Sequence, residues 1–150
     1  MDEIPLRTRV TLKVFGKWEV DFIGPIHSPS RISRARYIIT MMEYLTIWVE
    51  ATPVKDCNAE TATCLLFEQV VTIFGCPRVL MSDQGTHFIN SIIHAMTKEF
   101  EIHHHKSTPY HPQANGTVEA FNKILENSLT KISNVNMDDW DLKIPAILWA

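Results

Sequence analysis

The stretch Trp18-Glu19-Val20-Asp21-Phe22-Ile23-Gly24-Pro25 decides how the rest of the chain is read. Apolar and acidic residues alternate with the period of two that sends successive side chains to opposite faces of a strand, and Gly24-Pro25 ends the run in a turn. An acid inside such a strand needs a hydrogen-bonding partner or a cation, because a lone buried carboxylate is strongly disfavoured. Outward from this strand, residues 27–36 are polar and basic and read as a hairpin-like loop. Tyr37-Ile38-Ile39-Thr40-Met41-Met42 is apolar enough for a central, buried strand, and residues 46–54 make a third strand closed by Pro53. Upstream, residues 1–16 lack periodicity and are expected to be an extended lead-in to a core spanning 17–150.

Farther along, Asn58 is a good N-cap for a helix over 59–74, apolar at 62, 65, 66, 70, 73 and 74, and Gly75-Cys76-Pro77 stops it. Arg78-Val79-Leu80-Met81 reads as a short strand, about 90–101 as a helix and Ile102–Lys106 as a fifth strand. Pro109, Pro112 and Gly116 make 107–116 a loop before a helix over about 117–133, and Asp138-Asp139-Trp140 opens another. Three meandering strands followed by strand–helix alternation predict an α/β fold, a mixed five-stranded sheet flanked by helices. Apolar Ile147-Leu148-Trp149-Ala150 closes the sequence, so a core truncated before its last helices is expected.

Composition agrees with one globular domain: 150 residues, 45% hydrophobic and 21% charged. No stretch approaches the roughly 18 apolar residues of a membrane span, and the acidic start lacks a signal-peptide h-region. Residues 1–75 hold 8 basic and 9 acidic side chains and residues 76–150 hold 6 and 8, a net −3 with no polybasic arm. Nucleic acid would therefore not be gripped by bulk charge, although metal cations in an acidic site could still meet phosphate. Cys57, Cys64 and Cys76 contain no C-x-x-C pair and point to neither a disulfide framework nor a cysteine zinc site.

Three carboxylates stand out by position. Asp21 lies within an apolar strand, Asp83 follows the strand ending at Met81, and Glu119 falls in the first turn of a helix behind the Pro-rich loop. Alone, Asp83 reads as a turn former and Glu119 as a favourable partner for the helix dipole. Together, with 35 residues between Asp83 and Glu119, they form a recognisable set. The sequence resembles the catalytic core of retroviral and retrotransposon integrases, in the gypsy-type LTR retrotransposon branch and most like plant copies. The resemblance rests on the Trp18–Pro25 block, Phe74-Gly75-Cys76-Pro77, Ser82-Asp83-Gln84-Gly85-Thr86-His87-Phe88 and the run from Ser107 through Glu119 to Asn122.

The resemblance implies a ribonuclease H-like fold and a polynucleotidyl transferase that processes DNA ends and joins them to target DNA. It implies that Asp21, Asp83 and Glu119 are catalytic and hold two Mg2+ or Mn2+ ions. Such a pair can activate an attacking hydroxyl and stabilise a leaving oxygen. It further implies DNA contacts from Tyr110, Gln113 and Asn115, a homodimer or higher oligomer, and residence in the nucleus. On helical spacing, Val118, Phe121, Leu125, Leu129 and Ile132 face the core, and Glu119, Asn122 and Glu126 share one edge. Asn122 is taken as a further DNA contact, and Lys123 points outward where a phosphate could meet it.

Arg31, Arg34 and Arg36 read either as a DNA-backbone contact or as a solvated loop. His103-His104-His105 alternates across a strand and lacks the convergence zinc needs, so a solvated edge strand is expected. Ile47 and Ala120 stand where relatives often carry basic residues. The alternative is a catalytically inactive remnant that self-associates and binds nucleic acid as an assembly module; ribonuclease H proper would need a further acid on the first helix, such as Glu60 or Glu68.

Overall fold

The computed structural model describes residues 13–82, 94, 97–106 and 112–149. Five strands form one sheet: β1 (Lys17–Ile23), β2 (Tyr37–Glu43), β3 (Val49–Val54), β4 (Val79–Ser82) and β5 (His103–Lys106), in the order β3-β2-β1-β4-β5. β1, β2 and β3 pair antiparallel as a meander, and β1, β4 and β5 pair parallel. The mixed sheet expected from the element order is therefore present, with β1 at its centre and the three histidines on its edge strand. Because β1, β4 and β5 run the same way, the chain after Ile23, after Ser82 and after Lys106 leaves the sheet at one edge.

Alternation along β1 assigns its faces. Trp18 and Val20 point to one side with Ile39, Met41 and Leu80. That side is covered by α1, an α-helix over Ala59–Leu66 that widens into a π turn at Phe67–Val71 and continues at Thr72–Phe74. Asn58 caps it, its Oδ1 accepting from the Thr61 N–H at 2.8 Å. Ala62, Leu66 and Val70 pack inward. The π turn inserts an extra residue, which turns Ile73 to solvent while Phe74 stacks near Phe15 and Trp18. The opposite face carries Ile23 and Ile38 beneath α2 (Pro112–Ile132) and α3 (Trp140–Trp149), which contribute Leu125, Leu129, Trp140 and Ile144. Each fully buried aliphatic side chain here contributes about 1.5–3 kcal/mol relative to exposure.

Several boundaries differ from the sequence reading. Lys13–Gly16 fold as a turn, with the Gly16 N–H on the Lys13 carbonyl at 2.9 Å, instead of an extended lead-in. α2 begins at Pro112, five residues before the expected start. Proline is tolerated in a first turn, where its missing N–H has no intrahelical partner to lose. β3 begins only at Val49, because Thr46 turns back onto Glu43 and Ile47 takes a left-handed φ of 60°. Ile132, expected in the core, ends α2 largely exposed. Gly24 has a φ of 126°, and a Cβ there would come within 2.8 Å of the Arg36 carbonyl oxygen, so no other residue fits the exit of β1.

Candidate active site

Asp21 lies on the face of β1 that meets α2, half-buried and opposite Thr40 of β2. Its Oδ1 accepts from the Phe22 N–H at 2.8 Å, and its Oδ2 accepts from the Asn122 Nδ2 at 2.9 Å, across 101 residues of sequence. Thus α2 is tied to the central strand at one of the two acids that strand carries among apolar neighbours. The other amide atom of Asn122, Oδ1, is buried and has no hydrogen-bond partner among the described residues. A buried acceptor without a donor is costly, and it invites a cation or a cation-bound water at this spot.

Glu119 stands three residues before Asn122, the spacing that puts two side chains on one helix face. It is exposed, and among the described residues it makes no hydrogen bond or ion pair. Lys123 is exposed as well. Parallel pairing sets Val20 opposite Ser82, the last described residue of β4. Asp83 itself and Tyr110 lie outside the described residues, as do the side chains of Gln113 and Asn115, whose backbones begin α2. The structure thus brings Asp21 and Asn122 together, and Asn122, expected to reach DNA, directs its amide nitrogen at the carboxylate.

A second acid escaped the sequence reading. Glu19 projects from the same face as Asp21, two residues earlier, and burial together with the neighbouring Asp21 charge pushes its carboxyl up to about 7 while Lys17 pulls the other way. The available signal was the period of two, which places Lys17, Glu19 and Asp21 in one row. Lys17 and Glu19 border a cavity of about 250 Å³ that Tyr44, Ile47, Met81 and Thr117 also line. Ile47 and Ala120, the two positions lacking a basic residue, border an adjoining groove beside α2 with Phe121 and Ile124.

In chemical type, the oxygens of Asp21, of Glu119 on the same helix face as Asn122, and of the Asn122 amide, unpartnered among the described residues, are donors that suit a hard cation. Among the described residues no group of three or more His, Cys, Asp or Glu gathers as a metal cluster. Cys57, Cys64 and Cys76 are free thiols. No helix among the described residues is long and apolar enough to cross a membrane.

Comparison with known proteins follows the same line. The family model described as integrase core domain matches residues 12–112. The chain is 32% identical over 132 residues to the Gag-Pol polyprotein of Woolly monkey sarcoma virus, covering 87% of this chain and 8% of that protein. It is 30% identical over 133 residues to the Pol polyprotein of Radiation murine leukemia virus (strain Kaplan), covering 88% of this chain and 22% of that protein. The chain therefore spans a small part of the curated relatives it matches. Among solved structures, the simian T-cell lymphotropic virus intasome in complex with PP2A regulatory subunit B56 gamma superposes with a TM-score of 0.70 at 22% identity, over 92% of this chain and 48% of that one. The shared architecture is the ribonuclease H-like mixed α/β fold. With the sheet order, the Asp21-bearing central strand and these matches in hand, the chain belongs to the integrase core domain family of retroviral type.

Proposed function

We propose that the chain is the polynucleotidyl transferase core of an integrase, which cuts DNA ends and joins them to target DNA. The observation that carries this reading is the Asn122–Asp21 hydrogen bond, which docks the helix edge bearing Glu119 against the central strand of an integrase-core fold. Asp21, Asp83 and Glu119 would hold the divalent cations, Mg2+ or Mn2+. When bound, such a pair supplies an activated hydroxyl and charge stabilisation for the leaving oxygen of a phosphodiester. The protein's own part is positioning. Asn122 fixes the Asp21 carboxylate through Oδ2, and the Phe22 N–H holds Oδ1, so the acid is oriented before any ligand arrives. Asn122 Oδ1 remains as an acceptor for a cation-bound water. Lys123, with Tyr110, Gln113 and Asn115 near the start of the same helix, would meet the DNA strand.

A strand-transfer assay with a labelled duplex and Mg2+ or Mn2+ tests this. Asp21→Asn and Glu119→Gln should each lower the rate by about a thousandfold, since loss of several kcal/mol of transition-state stabilisation at 1.36 kcal/mol per tenfold has that effect. Turnover surviving in chelator, or in either variant, would remove the two-metal reading. A properly folded wild type with no turnover would favour the assembly module instead.

A further inference from the structure

The loop between β1 and β2 leaves the sheet at the edge where β4 and β5 also end, on the β2 side of Asp21. It is not loose. The Ile26 N–H donates to the Arg36 carbonyl at 2.7 Å and the Ser30 N–H to the Ala35 carbonyl at 2.9 Å, and the Arg34 N–H returns to the Ser30 carbonyl at 3.1 Å. Outside the loop, the Arg31 N–H donates to the Asp138 carbonyl at 2.8 Å and the Trp140 Nε1 to the Ser28 carbonyl at 2.8 Å. The Ser33 Oγ donates to the Asp141 carboxylate at 2.6 Å, across 108 residues. Ala35 is buried as an anchor, and Arg34 is held at a φ of 60°.

These bonds use backbone groups, the Trp140 indole and the Ser33 hydroxyl on the Asp141 carboxylate, and none of the guanidinium groups. Arg31, Arg34 and Arg36 are exposed, and among the described residues none of them forms an ion pair or a side-chain hydrogen bond. The nearby acids are engaged elsewhere: Asp141 by Ser33, Asp139 by Lys143 at 3.6 Å, and Asp138 by the Asn134 amide. Three guanidinium groups within six residues, on a fixed backbone and without partners among the described residues, suit a ligand with repeated anions at regular spacing. The guanidinium fork matches phosphate oxygens, and a loop ordered in advance pays little ordering entropy on binding.

We infer that the Arg31–Arg34–Arg36 loop is a sequence-independent platform for the DNA backbone, set at the sheet edge where β1 and its Asp21 end. This inference rests on the DNA-joining reading above, and its test separates the two. Binding of a labelled random-sequence duplex to the chain, followed by fluorescence anisotropy across a salt series, reads the number of phosphate contacts. Arg31→Gln, Arg34→Gln and Arg36→Gln combined should flatten the dependence of log affinity on log salt by up to about 2.7, at about 0.9 per phosphate contact. The loss should be the same for unrelated sequences, with the thermal midpoint unchanged. An unaltered slope would overturn the platform. Strand transfer with an unaltered slope would sink the platform and keep the enzyme. A flattened slope without strand transfer would do the reverse.

Discussion

Asn122 directs its amide nitrogen at a carboxylate and leaves its amide oxygen buried without a partner among the described residues, and both facts bear on ligand affinity. Asn122→Ala should weaken Mn2+ binding by roughly 10–100-fold, the usual effect of losing a residue that orients a metal ligand, and calorimetry would read it. Unchanged affinity would mean that Asp21 needs no orienting partner. Ile47 raises a different residue-scale matter. A β-branched side chain at a φ of 60° is strained, and this one is 55% exposed, so its burial offers little in return. Ile47→Asn should stabilise the protein by about 1 kcal/mol, since the left-handed conformation costs ordinary residues about 1–2 kcal/mol. For a chain of this size that is roughly 2–4 °C in thermal midpoint. A lower midpoint would show that the groove contacts of Ile47 outweigh its backbone strain.

At the scale of elements, α2 shows what local sequence carries and what it omits. Its apolar spacing was legible: Val118, Leu125 and Leu129 are buried as the 3.6-residue period requires. Its start was not, because Pro and Gly read as loop formers, whereas Pro112 sits in a first turn and Gly116 is absorbed at a cost of about 1 kcal/mol. Ile132 lies at the helix end, beyond the sheet it would have packed on, so the period alone overcounts the core there. The strands were legible to within a few residues because alternation and the Gly24-Pro25 stop are local. The Asn122–Asp21 and Ser33–Asp141 bonds were not, because each joins residues more than a hundred positions apart and no local pattern encodes such a pairing. Leu125 of α2 is fully buried in the cluster that also holds Ile23, Ile38 and Trp140. Leu125→Ala should cost about 3 kcal/mol in a urea titration, within the range for large-to-small core changes. A loss under 1 kcal/mol would mean that α2 is not packed as described.

For the whole molecule, two buried carboxylates set the response to acid. Burial alone would raise Glu43, but the Thr46 hydroxyl and N–H and the Phe15 N–H donate to it and hold its carboxyl below the ordinary value of 4.5. Asp141 is likewise held below 3.8, against burial, by serine hydroxyls and the Leu142 N–H. A carboxyl whose folded pKa is depressed stabilises the protein above its unfolded pKa, and that stability disappears as pH falls through the folded value. Stability should therefore drop from about pH 4.5 downward, and Glu43→Gln should flatten the drop while lowering stability at neutral pH. Urea midpoints measured from pH 7 to pH 3 would check this, and an unchanged acid slope in the variant would remove Glu43 as a cause.

β1 is paired to β2 from Trp18 to Ile23 and, over Lys17–Val20, to β4 as well. That doubly paired stretch can open only when the sheet opens, and Asp21 follows directly on it. Amide deuteration at Val20 should proceed at the rate of global unfolding, while the termini of α2 and α3 exchange much faster. A one-residue slip of β1 would carry Asp21 to the α1 face and Val20 to the α2 face, reversing every side chain of the strand at once. Chemistry at Asp21 is consequently all-or-none with respect to folding: a partly unfolded sheet would carry no partial site, and the fraction of active molecules should track the fraction folded along a denaturant titration.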